Sequence, residues 1–269
     1  MGIVLTNNIV LLAQEASPVQ ALTFGYAPRI GWRDIWSTGT VSGSTEAQPA
    51  ALAVNGLTYD AWRSAPGGTH HLYLDTTQGP IDYVAVAGVV LAGGAIKPQY
   101  YNGADWVDCA PGGATPGSGT SPIVWYFPRI NATRYRLRIV NAGGAVAIAV
   151  VMAGLAMTPD SGIPVGWEPP SINPRNDYSN DISIDGQMLG RQVRRYGASA
   201  DVTLGGLTYS WVRGEWSDFI VWAERRGFFL WWEYDGMAEV IYGGMTGISG
   251  KFTAPEVLET GFRMEGVAV

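Results

Sequence analysis

Apolar and polar positions along the 269 residues alternate in short runs, and long helical periodicity is almost absent. Stretches rich in Val, Ile, Leu, Tyr and Trp are cut by clusters of Gly, Pro, Asn, Asp and Ser, at the spacing of a sandwich or barrel. In the first part of the chain, strands are expected at 21–26, 71–75, 82–90, 96–101, 123–127, 134–140 and 145–152. Further strands are expected at 181–184, 192–195, 199–204, 221–223, 228–234, 239–242 and 259–267. The run YRLRIV (135–140) alternates cleanly: Arg136 and Arg138 take one face of a strand, Leu137 and Ile139 the other. Two segments read as helical. NGLTYDAW (55–62) has room for one short turn. EWSDFIVWAER (215–225) places Trp216, Phe219, Ile220 and Ala223 on one face of an amphipathic helix.

The stretch RGFFLWWEYDG (226–236) departs from simple alternation. Phe228, Leu230 and Trp232 share one face of a strand, Phe229 and Trp231 the other, so both faces are apolar. A strand of that kind is either buried on both sides or buries one side against a neighbouring subunit. Together with Trp211 and Trp216, these residues are expected to serve core and assembly rather than solvent. Residues 158–178 carry five prolines and cannot continue a helix or a central strand, which sets the expected boundary. The expected organisation is thus a first domain over 1–157 with an N-terminal arm at 1–20, a linker at 158–178, and a smaller β-rich domain over 179–269. CAPGGATPGSGTSP (109–122) reads as a loop within the first domain. The echo of GLTYDAWR (56–63) in GLTYSWVR (206–213) has unmatched flanks and reads as coincidence.

Composition sharpens this picture. Hydrophobic residues reach 47% while charged residues are only 15%, and eleven Trp and thirteen Tyr are present. Low charge with abundant aromatics is the composition of a surface partly covered by other subunits. The net charge of −6 comes without a basic run, which argues against nucleic acid as a partner. Cys109 is the single cysteine, so one chain forms no disulfide and no Cys-based zinc site. The N-terminal stretch lacks a cationic start and is broken by Thr6-Asn7-Asn8, unlike a secretory signal. The longest apolar run, 143–157, is too short to span a bilayer.

From about residue 40 to 157, the order of motifs resembles the galactose-binding-like jelly roll of discoidin domains and many carbohydrate-binding modules. The carrying segments are ALAVNGLTYDAW (51–62), HLYLDTTQGPIDYVAVAG (71–88), YYNGADWVDC (100–109), ATRYRLRIV (132–140) and IAVVMAGL (148–155). The resemblance implies that Asn55, Asp75 and Arg136 tie turn backbones together. With the second half, where Arg195, Gly197, Trp211, Trp216, Phe219, Trp222, Phe228, Phe229 and Trp231 recur in order, the chain resembles tail-tip or baseplate proteins of long-tailed bacteriophages. That resemblance implies a structural ring of identical copies contacting neighbouring tail proteins, located in the virion tail and assembled in the host cytoplasm.

Candidate chemistry is sparse. His70 and His71 are adjacent, so on a strand they face opposite ways and share no metal. DISIDG (181–186) lacks the glutamate of a calcium loop and reads as a hairpin turn. No nucleophile elbow, phosphate loop or dinucleotide fingerprint occurs. No catalytic residue, metal or cofactor is expected. Asp34, Asp105, Glu215 and Glu233 are the carboxylates near aromatics that a polysaccharide-degrading enzyme would draw on. The alternative to the structural role is a carbohydrate-binding module recognising host-surface glycans, with Trp32, Trp36, Tyr100, Tyr101 and Trp106 as the rings offered to sugar.

Overall fold

The structure is a computed structural model describing residues 10–11, 28–77, 79–110, 122–141, 143–160, 177–195, 198–234, 237–254 and 257–266. The described strands are, in chain order, β1 (Val10–Leu11), β2 (Arg29–Gly31), β3 (Thr40–Gly43), β4 (Trp62–Arg63), β5 (Gly68–Asp75), β6 (Ile81–Val90), β7 (Ala95–Tyr101), β8 (Trp106–Asp108) and β9 (Ile123–Ile130). They continue with β10 (Arg134–Asn141), β11 (Ala147–Gly154), β12 (Asp177–Ile182), β13 (Met188–Arg195), β14 (Ala198–Thr208), β15 (Phe228–Tyr234), β16 (Met237–Ala254) and β17 (Val257–Gly266). Two short helices, α1 (Tyr209–Trp211) and α2 (Ser217–Ala223), are joined by a π-helical turn at Val212–Trp216.

The first half is a jelly-roll sandwich. An outer sheet runs β3-β5-β10-β7-β8 and an inner sheet runs β1-β9-β6-β11-β4. Leu72, Leu74, Leu137, Ile139 and Ile96 of the outer sheet meet Val84, Val86, Ile148 and Val151 of the inner one, with Trp36, Trp62 and Trp125 filling the core between. The inner sheet is buried on its other face too. Tyr83, Ala85, Val150 and Met152 pack against Phe229, Trp231 and Tyr242 of a third sheet, ordered β14-β17-β16-β15-β2. This is why β11 reads AIAVVMAG without polar alternation: all eight of its residues are buried. At Gly88, with φ of 63°, an added Cβ would stand 2.6 Å from the Cβ of Ala149 on β11. Only glycine fits that crossing of β6 and β11.

The far face of the third sheet carries Phe228, Leu230, Trp232, Val202 and Phe262 against Trp216, Phe219 and Ala223 of the helical segment. The strand expected at 221–223 is therefore the end of α2. Its helical periodicity (Trp216, Phe219, Ala223) prevails over the local β-branched content, because it gives the sheet an apolar cover. The turn expected within 55–62 lies instead at Ala50–Val54, a 3₁₀ helix following Pro49. The two similar octapeptides adopt unlike structures, loop and strand at 56–63, strand end and helix at 206–213.

The chain also crosses between layers earlier than expected. β2, at 29–31, is an edge strand of the third sheet, pairing with β15 through Ile30↔Leu230. Met157 and Ile30 exchange backbone hydrogen bonds of 2.9 Å. The expected arm at 1–20 lies outside the described residues apart from Val10–Leu11, and the expected linker lies outside them from 161 to 176. β12 and β13 form a separate hairpin. Gly186 N–H donates to Ser183 O at 2.9 Å, and Gly186 has φ of 80°. DISIDG thus runs into a β-turn.

Candidate functional site

The outer sheet turns one face to its neighbour and the other to solvent. Strand alternation fixes what the solvent face carries: His71, Tyr73 and Asp75 on β5, Arg134, Arg136 and Arg138 on β10, Lys97, Gln99 and Tyr101 on β7, Trp106 and Asp108 on β8. The register aligns them in rows. Asp75, Arg134, Tyr101 and Trp106 form one; Tyr73, Arg136, Gln99 and Asp108 the next; His71, Arg138 and Lys97 the third.

Trp106 sits at the centre of the aromatic contacts. Its ring centroid is 5.5 Å from that of Tyr101 and 5.9 Å from that of Tyr73. Arg136 places its guanidinium carbon 4.2 Å from the Trp106 centroid, an attraction between cation and ring face. The half-buried indole thus has Arg136 against its ring, the Arg134 guanidinium carbon 5.8 Å from its centroid, and two tyrosines beside it. His71 stacks on Tyr73 at 5.6 Å.

Hydrogen bonds brace this surface. Arg134 Nε donates to Asp75 Oδ1 at 2.8 Å, and Arg136 Nε to Gln99 Oε1 at 2.8 Å. Gln99 Nε2 donates to Asp108 Oδ1 at 2.6 Å, and Lys97 Nζ to Asp108 Oδ2 at 3.1 Å. These two bonds, with the nearby Lys97 and Arg138 charges, outweigh partial burial and hold the Asp108 carboxyl below the usual range. Partial burial, then the charges of Arg136 and Arg138, push the His71 imidazole down. The face is electropositive and rigidly held, with planar rings beside polar groups.

The structure separates the expected sugar-facing rings. Tyr101 and Trp106 lie on this face. Tyr100, the next residue along β7, packs against the sandwich core. Trp32 and Trp36 are corrected: both are buried, because the 32–36 segment threads between layers. It delivers Trp32 to the core under the helices and Trp36 to the sandwich core. Neither presents a ring to a ligand. Tyr73, Arg134 and Gln99 were not anticipated from sequence. The signal for Tyr73 was the alternation in HLYLD and, for Arg134, the same alternation extended one residue upstream of YRLRIV; Gln99, between Pro98 and Tyr100, carried none.

Of the expected core and assembly aromatics, Trp216, Phe228, Phe229, Trp231 and Trp232 are buried within this chain and Trp211 is half-buried. The face carrying Phe229 and Trp231 meets the chain's own sandwich, not a neighbouring subunit: Trp231 is 5.5 Å from Tyr83 and 6.2 Å from Tyr126. Of the tie residues, Asn55 Oδ1 accepts from Leu57 N–H at 2.7 Å. Asp75 and Arg136 instead pair with side chains on the outer face. His70 is buried against the Thr45 hydroxyl at 3.0 Å while His71 lies outside, and no metal-binding cluster occurs among the described residues. Of the four carboxylates, Asp34 caps a turn, Glu215 pairs with Arg33 at 2.9 Å, Asp105 is exposed, and the Glu233 side chain lies outside the description. No described helix is long and apolar enough to cross a membrane.

No protein-family model matches the chain, and no curated protein matches it. Among solved structures, a pectin-binding carbohydrate-binding module is similar at 15% identity and a TM-score of 0.37, over 42% of this chain and 88% of the module. The family 32 carbohydrate-binding module of C. perfringens NanJ, solved with galactose, is similar at 16% identity and a TM-score of 0.39, over 46% and 98%. Chitosan-binding module 1 from the chitosanase/glucanase of Paenibacillus sp. IK-5 gives 16% identity and 0.38, over 45% and 98%. The fold class is all-β: a jelly-roll sandwich followed by a smaller β-rich part with a short helical segment.

Proposed function

We propose that this protein binds carbohydrate on the solvent face of its outer sheet. The observation that carries the reading is Trp106, half-buried on the solvent face, with Arg136 and Arg134 over its ring and Tyr73 and Tyr101 beside it. Pyranose rings stack on such a surface through their C–H faces, while the exposed Arg134 and the part-exposed Asp108 stand beside it for hydroxyls. The site is held by side-chain hydrogen bonds before any ligand arrives, which lowers the ordering cost of binding. Nothing in this arrangement calls for bond cleavage, so the role is recognition. Affinity electrophoresis through gels containing a panel of neutral and acidic polysaccharides tests it. At least one polymer should retard the wild type, and Trp106→Ala should lose most of that retardation. Wild-type mobility unchanged in every gel would refute the proposal.

A structural role in a phage tail tip, as a ring of identical copies, is the second reading. One observation favours self-association: the β12–β13 hairpin exposes Ile182, Ile184, Met188 and Leu189, with Ile184 fully solvated. Light scattering of the purified chain across concentration tests this reading, and a monomer at all concentrations would remove it.

A further inference from the structure

We infer that the saccharide recognised on this face is acidic, with its carboxylate or sulfate seated at Arg138 beside Lys97. The inference rests on the carbohydrate reading above and adds the charge of the ligand.

The cations are distributed in a way that internal pairing does not explain. Arg134, Arg136 and Arg138 occupy alternate positions of β10, so all three leave the same face. Arg134 is paired with Asp75, and Lys97 with Asp108. Arg136 bonds to neutral groups, Gln99 and Tyr73, and lies over the Trp106 ring, with the Asp108 charge nearby. Arg138 makes no ion pair within 4 Å among the described residues; its direct neighbours across the strands are Lys97 and His71, and the Asp108 carboxylate whose charge it feels is already bonded by Lys97 and Gln99. Like charges directly opposite each other in a sheet repel. Four cations thus face two carboxylates, a local excess of two positive charges on a chain whose net charge is −6.

A neutral sugar leaves this repulsion in place. An anionic group at Arg138 relieves it, and a guanidinium takes a carboxylate or sulfate through two parallel N–H donors. Arg138 stands two residues from Arg136, about 6–7 Å along the strand. A chain stacked on Trp106 over Arg136 therefore brings an adjoining acidic group within reach of Arg138. The shared chemistry is an anionic oxygen on a sugar. A single-stranded nucleic acid would also find rings and cations here, and oligothymidylate is the arm of the test that reads it.

The test uses calorimetry of the full chain with a polyuronate, its fully methyl-esterified counterpart, a sulfated glucan with its unsulfated parent, and oligothymidylate, at low and high salt. Wild type, Arg138→Gln and Arg138→Lys are compared after matching their melting curves. The polyuronate or the sulfated glucan should bind, and weaken in salt. Arg138→Gln should weaken that binding by about tenfold, with partial recovery in Arg138→Lys, and leave any residual binding to the neutral counterpart unchanged. Which of the two acidic polymers responds identifies the anion. Equal affinity for acidic and neutral forms, insensitive to salt and to Arg138→Gln, overturns the inference while carbohydrate binding stands. Binding of oligothymidylate alone, or of no polymer, overturns both.

Discussion

Asp34 and Asp82 are carboxylates placed where water is scarce, and they tie the strands where the layers meet. Asp34 Oδ1 accepts the N–H of Trp36 at 2.9 Å and of Ala153 at 3.4 Å. Asp82 Oδ1 accepts the N–H of Ala156 at 2.7 Å. Those bonds favour the charged form, but burial outweighs them and pushes both carboxyls up to about 6. Between the ordinary Asp value near 4 and that raised value, the folded chain holds protons that the unfolded chain has released. Stability from this source is therefore fully present below about pH 4 and is lost as pH rises through about 6, by on the order of 1–3 kcal/mol per group. Asp108, held low, works the other way only on the acid side of this window, while His71, pushed down, offsets part of the gain inside it, one group against two. The melting temperature should rise as pH falls from 7.5 to 5.5, and the double variant Asp34→Asn, Asp82→Asn should flatten that rise. A melting temperature independent of pH in the wild type would contradict the burial of these groups.

At the scale of elements, much of the outer sheet was legible because its strands alternate. HLYLD and YRLRIV each name their own buried and solvent faces. What their sequences do not contain is that β5 and β7 flank β10, and without that register Tyr73, Arg136 and Trp106 are three unrelated residues. RGFFLWWEYDG announced a strand buried on both sides, yet periodicity is silent on whether the second side meets a partner or the same chain. GWRDIW misled for a related reason: Arg33 and Asp34 give it the look of an exposed loop, whereas the segment crosses layers and leaves a tryptophan in each core. Among the described residues, nothing covers Ile182, Ile184, Met188 and Leu189 of the β12–β13 hairpin. If copies associate there, Ile184→Asp with Leu189→Asp should abolish higher species in light scattering. Melting should shift little, since exposed substitutions usually change stability by less than about 0.5 kcal/mol. Association that persists in the double variant would place the contact elsewhere.

Across the whole molecule, the layers decide where a ligand can sit. The inner sandwich sheet is sealed on both faces, by the outer sheet on one side and by β15 and β16 on the other. The third sheet spends its far face on α2 and its neighbouring turn. Of the two sandwich sheets, the outer one alone keeps a face for solvent, and that face carries the rings and guanidiniums. Oxidative side-chain footprinting of the chain, with and without a saturating saccharide, examines this placement directly. Labelling of Trp106, Tyr101 and Tyr73 should fall on binding, while Tyr59 and Tyr209, which are exposed elsewhere, should label as before. A bound saccharide that leaves Trp106 labelling unchanged would contradict the account.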